Sequence, residues 1–136
     1  GPGQNASFLI PKIIEGVFKG QLNLETLTPK RDFVYVHDVC NAFLQCLLIH
    51  SEDHTFNVYN IGSGNSYSVQ QIIDKVISFA ALNPTITCNE KKRAVEVEDV
   101  KADFSKIKRE KKWHPSVSFD QGLKDMIEIY RKENGL

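Results

Sequence analysis

The sequence predicts an α/β fold, on three observations. Stretches with apolar residues at helical spacing alternate along the chain with short runs of β-branched and aromatic residues. Two Ser-x-x-Gln sequences, at 68–71 and 118–121, stand at the starts of such helical stretches. A β-rich run at 56–61 ends in Gly62-Ser63-Gly64, shortly before one of them.

Taken in order, Ile10, Ile13, Ile14, Val17 and Phe18 give a first helix, with Pro11 tolerable in its first turn and Gly20 at its end. Residues 22–25 and 33–36 read as short strands separated by a Thr/Pro-containing turn. Asp38 is placed to cap a second helix reaching about residue 49. Its apolar residues (Val39, Phe43, Leu44, Cys46, Leu47, Leu48) cover more than one face, so it is expected to lie between layers. Residues 56–61 form the next expected strand. A helix follows from Ser68, with Val69, Ile72, Ile73, Val76, Ile77 and Ala80 on one stripe, stopped by Asn83-Pro84. Residues 85–88 suggest another strand, and 89–102 are polar and irregular. A short helix around 104–111 precedes Trp113-His114-Pro115. The last helix opens at Ser118, with Phe119, Leu123, Ile127 and Tyr130 in register.

Composition narrows the function classes. The 136 residues suit one domain, and 41% hydrophobic with 25% charged residues is an ordinary soluble balance. Seventeen basic residues offset seventeen acidic ones, so no global field favours nucleic acid or an anionic membrane. The basic clusters at 91–93 and 108–112 are interleaved with acidic residues and read as solvated faces. Three cysteines without a C-x-x-C pair argue against a disulfide framework and against zinc, which points to a reducing cytoplasm. No apolar run approaches the roughly 20 residues of a membrane span, and no secretory signal is evident. The first residues lack an initiator Met; Gly1-Pro2 fits a protease scar or a native start to the first motif, and the chain is expected to be part of a longer one.

Few residues suggest chemistry. Gly62-x-Gly64 begins like a dinucleotide-binding turn, but position 67 is Tyr and no acidic residue ends a second strand about 20 residues on. A flexible strand-to-helix turn is the better reading. His37 with Asp38 reads as a histidine beside an N-cap, not as an acid/base pair. His50, Asp53 and His54 crowd one turn without the surroundings a metal site needs. Cys40 and Cys46 read as small core residues, and Trp113 as an anchor for the last helix. No Ser/His/Asp order or paired carboxylate site stands out.

Four blocks carry a family resemblance: Gly1-Pro2-Gly3-Gln4-Asn5, Arg31-Asp32-Phe33-Val34-Tyr35-Val36-His37-Asp38-Val39, Tyr59-Asn60-Ile61-Gly62-Ser63-Gly64, and Ser105-Lys106 leading to Trp113-His114-Pro115. In that order and at about those spacings, the chain resembles the C-terminal portion of the nucleotide-sugar epimerases and dehydratases, the extended branch of the short-chain dehydrogenase/reductase superfamily. The resemblance covers nearly the whole chain. It implies that residues 31–64 supply the last helix and strand of a Rossmann-type parallel sheet, and that the rest forms a small α/β substrate-binding lobe. The N-terminal NAD-binding and catalytic half would lie outside the chain.

The resemblance also implies an activity, 4-epimerisation or 4,6-dehydration of a nucleotide-diphosphate sugar, with NAD or NADP in the complete enzyme and none expected in this stretch. The family's proton shuttle is a Tyr-x-x-x-Lys pair. Here Tyr35, Tyr59, Tyr67 and Tyr130 are followed at that spacing by Val39, Ser63, Gln71 and Asn134, so the stretch is expected to be inactive alone. Site residues are carried over as substrate contacts. Arg31 and Arg93 stand where the family grips the pyrophosphate, because guanidinium forks match phosphate oxygens. Ala94 replaces the commoner Pro after the second. Asn5 and the Phe8-Leu9-Ile10 stretch resemble the lip over the base, and Asn23 lies on the strand flanking it, without the usual Gly-Asp-Gly turn. A homodimer is implied for the complete enzyme, and self-association for this stretch alone. A nucleotide-sugar sensor without catalysis, or a structural interaction module, are the other function classes open to the sequence.

Overall fold

A computed structural model describes residues 1–48, 56–89 and 97–136, and the elements among them follow the α/β reading. Helix α1 (Leu9–Phe18) buries Ile13, Ile14 and Val17 and ends where Gly20, at positive φ, turns the chain into β1 (Gln21–Leu24). Strand β1 alternates exposed and buried residues, sending Leu22 and Leu24 inward. Helix α3 (Val69–Ala80) is opened by a complete capping box: Ser68 Oγ accepts from Gln71 N at 3.1 Å, and Gln71 Oε1 accepts from Ser68 N at 2.8 Å. β4 (Thr85–Cys88) then returns beside β1 in parallel, Leu22 opposite Ile86. This right-sized β1–α3–β4 arrangement, with α5 (Phe119–Asn134) laid on top, encloses the main core of Ile13, Ile14, Leu22, Ile72, Ile73 and Leu123. Each such side chain contributes about 1.5–3 kcal/mol when fully buried.

A second, three-stranded sheet runs β3-β2-β5. β2 (Lys30–Asp32) pairs antiparallel with β3 (Ser66–Ser68) and parallel with β5 (Asp99–Val100). Beside it, α2 (Val36–Leu48) and α4 (Ser105–Lys111) enclose a smaller cluster of Ala42, Ile107 and Trp113.

Six expectations change. The strand expected at 33–36 lies earlier, at β2, because Asp38 N and Val39 N already bond Tyr35 O and start α2 at Val36. Asp38 is therefore inside the first turn, not at the N-cap, and is 2% exposed. Its carboxylate serves the segment before α5 instead: Oδ1 accepts from Ser116 N at 3.0 Å and Ser116 Oγ at 2.7 Å, and Oδ2 from Val117 N at 3.0 Å. Residues 56–61 form no strand among the described residues, since a ladder needs a neighbour and none lies alongside. Nor is α2 sandwiched: Phe43, Leu44, Leu47 and Leu48 are 61%, 56%, 65% and 74% exposed. The irregular stretch expected at 89–102 contains the short β5, held where Lys30 N bonds Glu98 O. The second Ser-x-x-Gln is half a box: Ser118 Oγ accepts from Gln121 N, but the Gln121 side chain turns to Asp125. No described helix is long and apolar enough to cross a membrane.

Candidate functional site: two clefts that meet at Arg31

Strand β2 sets the site, because Arg31 and Asp32 follow one another on it. Arg31 is half-buried, and its Nη1 donates to Lys30 O at 2.7 Å and to Val97 O at 2.8 Å, which fixes the plane of the guanidinium. It borders a cleft of about 440 Å³. The first turn of α1 supplies Phe8, Leu9 and Lys12 to this cleft, the end of β1 supplies Leu24 and Glu25, and Val69 at the start of α3 completes it. Arg31 also borders a second cleft of about 530 Å³, whose walls include Asp32, Asn60, Lys101 and Asp103.

Asp32 ties β2 to the Gly62-Ser63-Gly64 turn and to Ala102 after β5. Its Oδ1 accepts from Ser63 N at 2.9 Å and Ser63 Oγ at 2.6 Å, and its Oδ2 from Gly64 N at 2.9 Å and Ala102 N at 3.1 Å. The Gly-Ser-Gly turn is thus a nest of backbone donors filled by the chain's own carboxylate. A Cβ on Gly62 would collide with Ala102 Cβ, and Gly64 takes a φ of +73°. Those N–H groups are already used, so the turn does not fit the pyrophosphate of a dinucleotide, and it leads into β3 instead of directly into a helix.

Two of the five residues expected to contact substrate, Leu9 and Arg31, share the first cleft. Asn5 is exposed and its Oδ1 accepts from Ser7 N at 2.8 Å, bracing the turn before α1 and not lining the cleft. Asn23 is exposed on β1 between buried Leu22 and Leu24, also outside the cleft lining. Arg93 lies outside the described residues, as do His50, Asp53 and His54. Among the described residues no group of three or more His, Cys, Asp or Glu is placed to hold a metal. Sequence reasoning missed Lys12 and Glu25. Lys12 was within reach of it, since it sits three residues after Leu9 and so on the same helical face. Glu25 carried no local signal.

The profile of a family described as GDP-mannose 4,6 dehydratase matches residues 1–126. The GDP-6-deoxy-D-mannose reductase of Pseudomonas aeruginosa is 27% identical over 135 residues, covering 93% of this chain and 43% of the relative. Among solved structures, the UDP-glucose 4-epimerase of Thermotoga maritima with UDP-glucose superposes with a TM-score of 0.83 at 27% identity, covering 98% of this chain and 43% of that one. MoeE5 in complex with UDP-glucuronic acid and NAD reaches 0.88 at 25% identity, covering 98% and 44%. The chain therefore spans less than half the length of the proteins it matches.

Proposed function

The chain belongs to the GDP-mannose 4,6 dehydratase family, and from that premise we propose that it is the nucleotide-sugar-binding part of an NAD- or NADP-dependent epimerase or dehydratase. The observation that carries this reading is Arg31, held rigid by two carbonyls at the meeting point of two clefts. A diphosphate linker has a nucleoside on one side and a sugar on the other, and a fixed planar fork between two recesses suits it. The relatives named above act on or hold nucleotide sugars, and one solved neighbour holds NAD beside a nucleotide sugar.

The nicotinamide supplies the hydride chemistry in such enzymes. This chain's residues bind and orient. Arg31, with Arg93 as its proposed second arm, grips the diphosphate, and that remote binding energy holds the sugar in position for the reaction. Residues 31–64 would complete the parallel sheet of the cofactor-binding half, with 56–61 as its last strand. Neither the Gly-Ser-Gly turn nor any Tyr-x-x-x-Lys in the chain serves hydride transfer, so turnover by the chain alone is not expected.

Calorimetric titration of the chain with GDP-mannose and UDP-glucose tests the reading. Replacing Arg31 or Arg93 by Ala should weaken binding by about 1.5–3 kcal/mol, the range for hydrogen bonds to charged groups. Arg31→Lys should restore only part of it, because an ammonium lacks the fork. Unchanged affinity in both Ala variants would assign the arginines to the solvated surface.

A further inference from the structure

We infer that the sugar this chain takes is an acidic one, a uronic acid carried on the nucleoside diphosphate, and that Lys101 receives its carboxylate. The inference rests on the reading of Arg31 as the grip on the diphosphate. With the linker on Arg31, the two clefts that this residue borders receive the nucleoside and the sugar. Which takes which follows from where the reaction must occur. The sugar has to reach the nicotinamide, and ligands of open α/β sheets lie off the carboxyl ends of the strands. Residues 56–61 are the proposed last strand of the cofactor-binding sheet. The residues at its carboxyl end, Asn60, Ile61 and Gly62, line the second cleft. The sugar therefore belongs there.

The lining of that cleft is mixed. Val34, Ile61, Val100 and Ala102 give it apolar wall, which suits the C–H faces of a pyranose ring. Tyr59 is already engaged, its hydroxyl donating to Glu110 Oε2 at 3.0 Å with Lys106 Nζ 4.8 Å from its ring centre. Both carboxylates are engaged as well. Asp32 accepts from Ser63, Gly64 and Ala102, and Asp103 Oδ1 accepts from Ser105 N at 2.9 Å at the start of α4. Lys101 stands apart from these pairings. Among the described residues it makes no hydrogen bond or ion pair, although two carboxylates line the same cleft. A lysine that its acidic neighbours have not captured, in the recess for the sugar, is suited to a further negative charge. A neutral hexose offers none. A hexuronate carries one at C6, and an ammonium on a flexible stem meets a carboxylate without demanding a single orientation.

Titration calorimetry on the chain with two pairs of ligands tests this: UDP-glucuronate against UDP-glucose, and GDP-mannuronate against GDP-mannose. Within a pair only C6 differs, carboxylate for hydroxymethyl, so contacts to the nucleotide and the diphosphate cancel. In at least one pair the acid should bind about fivefold more tightly, the upper range for an ion pair open to solvent. That preference should shrink as salt is raised. Lys101→Gln should abolish it and Lys101→Arg should keep most of it, since the charge remains. Lys108→Gln, at an exposed lysine outside the cleft, should leave it unchanged. Equal binding within both pairs, or a preference that survives Lys101→Gln or falls as far with Lys108→Gln, would overturn the assignment and leave the diphosphate site standing. So would a Lys101→Gln variant that loses affinity equally for the acid and the neutral sugar, which would make the lysine a phosphate contact. Failure of all four ligands to bind would overturn the site itself, and this assignment with it.

Discussion

Asp38 takes three hydrogen bonds on a carboxylate that is almost wholly out of solvent, while its main-chain oxygen accepts from Trp113 Nε1 at 3.1 Å. One residue thereby ties α2 to the segment that leads into α5. Burial alone would raise its pKa. The hydrogen bonds from Ser116 and Val117, with the neighbouring charge of His114, outweigh it and leave the pKa below the ordinary aspartate value. Because the folded pKa is depressed, the stabilisation is fully present above the unfolded value, about 3.9, and is lost as pH falls through the folded value. Asp38→Ala should cost about 3 kcal/mol at pH 7 in urea denaturation, since it strands donors at Ser116 and Val117. The gap between variant and parent should shrink as the pH is lowered below 4 or so; a gap that stays constant would deny the carboxylate this role. The sequence made Asp38 conspicuous but misassigned it. An acidic residue ahead of an apolar helix looks like a cap, and no local pattern encodes partners almost eighty positions away.

Elements were legible where their determinants are local. The helix from Val69 was readable because its cap, its stripe and its stop at Asn83-Pro84 all lie within a few residues of one another. Ser68→Ala should lower stability by about 1 kcal/mol, and Ser118→Ala by less, because only the first is reciprocated by its glutamine side chain. Thermal melts of the two variants side by side would check the order, and equal shifts would show that the reciprocal bond adds nothing. Strands were less legible, since three or four residues make a weak pattern and pairing decides the outcome. β2 starts three residues before its expected place, Val36 being drawn into α2 while Phe33, Val34 and Tyr35 join no strand. Residues 56–61 have strand composition and no strand beside them, so β propensity there goes unused. The same division runs through the site. Arg31 and Leu9 came from motif position, whereas Glu25 and Lys12 enter the cleft only through the packing of α1 on β1.

Across the whole molecule, apolar surface is unevenly covered. The residues of the main core are buried, while the outer face of α2 presents Phe43, Leu44, Leu47 and Leu48, and nearby in sequence Phe56 is 93% exposed. Contiguous apolar surface of this kind marks an interaction face. In a nucleotide-sugar enzyme of more than twice this length, the rest of the polypeptide would be the proposed cover. The chain studied alone should use a second copy, because burying such surface gains about 25 cal/mol per Å². Light scattering across a concentration series should show the mean mass rising above that of one chain, and a Phe43→Ser, Leu47→Ser double variant should reduce the rise. A constant monomer mass at high concentration would mean that the face is tolerated in water.

The neighbours Arg31 and Asp32 have a consequence for how β2 finds its place. One presents a cation between two clefts, and the other, on the wall of the second cleft, spends its carboxylate on N–H donors of Ser63, Gly64 and Ala102. A slip of one residue would exchange them. The guanidinium would then press against amide hydrogens, and the carboxylate would stand where phosphate is proposed to bind. Charge thus proofreads the alignment of a three-residue strand too short to specify itself by hydrophobic pattern. A misaligned copy would be penalised in folding by the same electrostatics that would spoil the proposed diphosphate site.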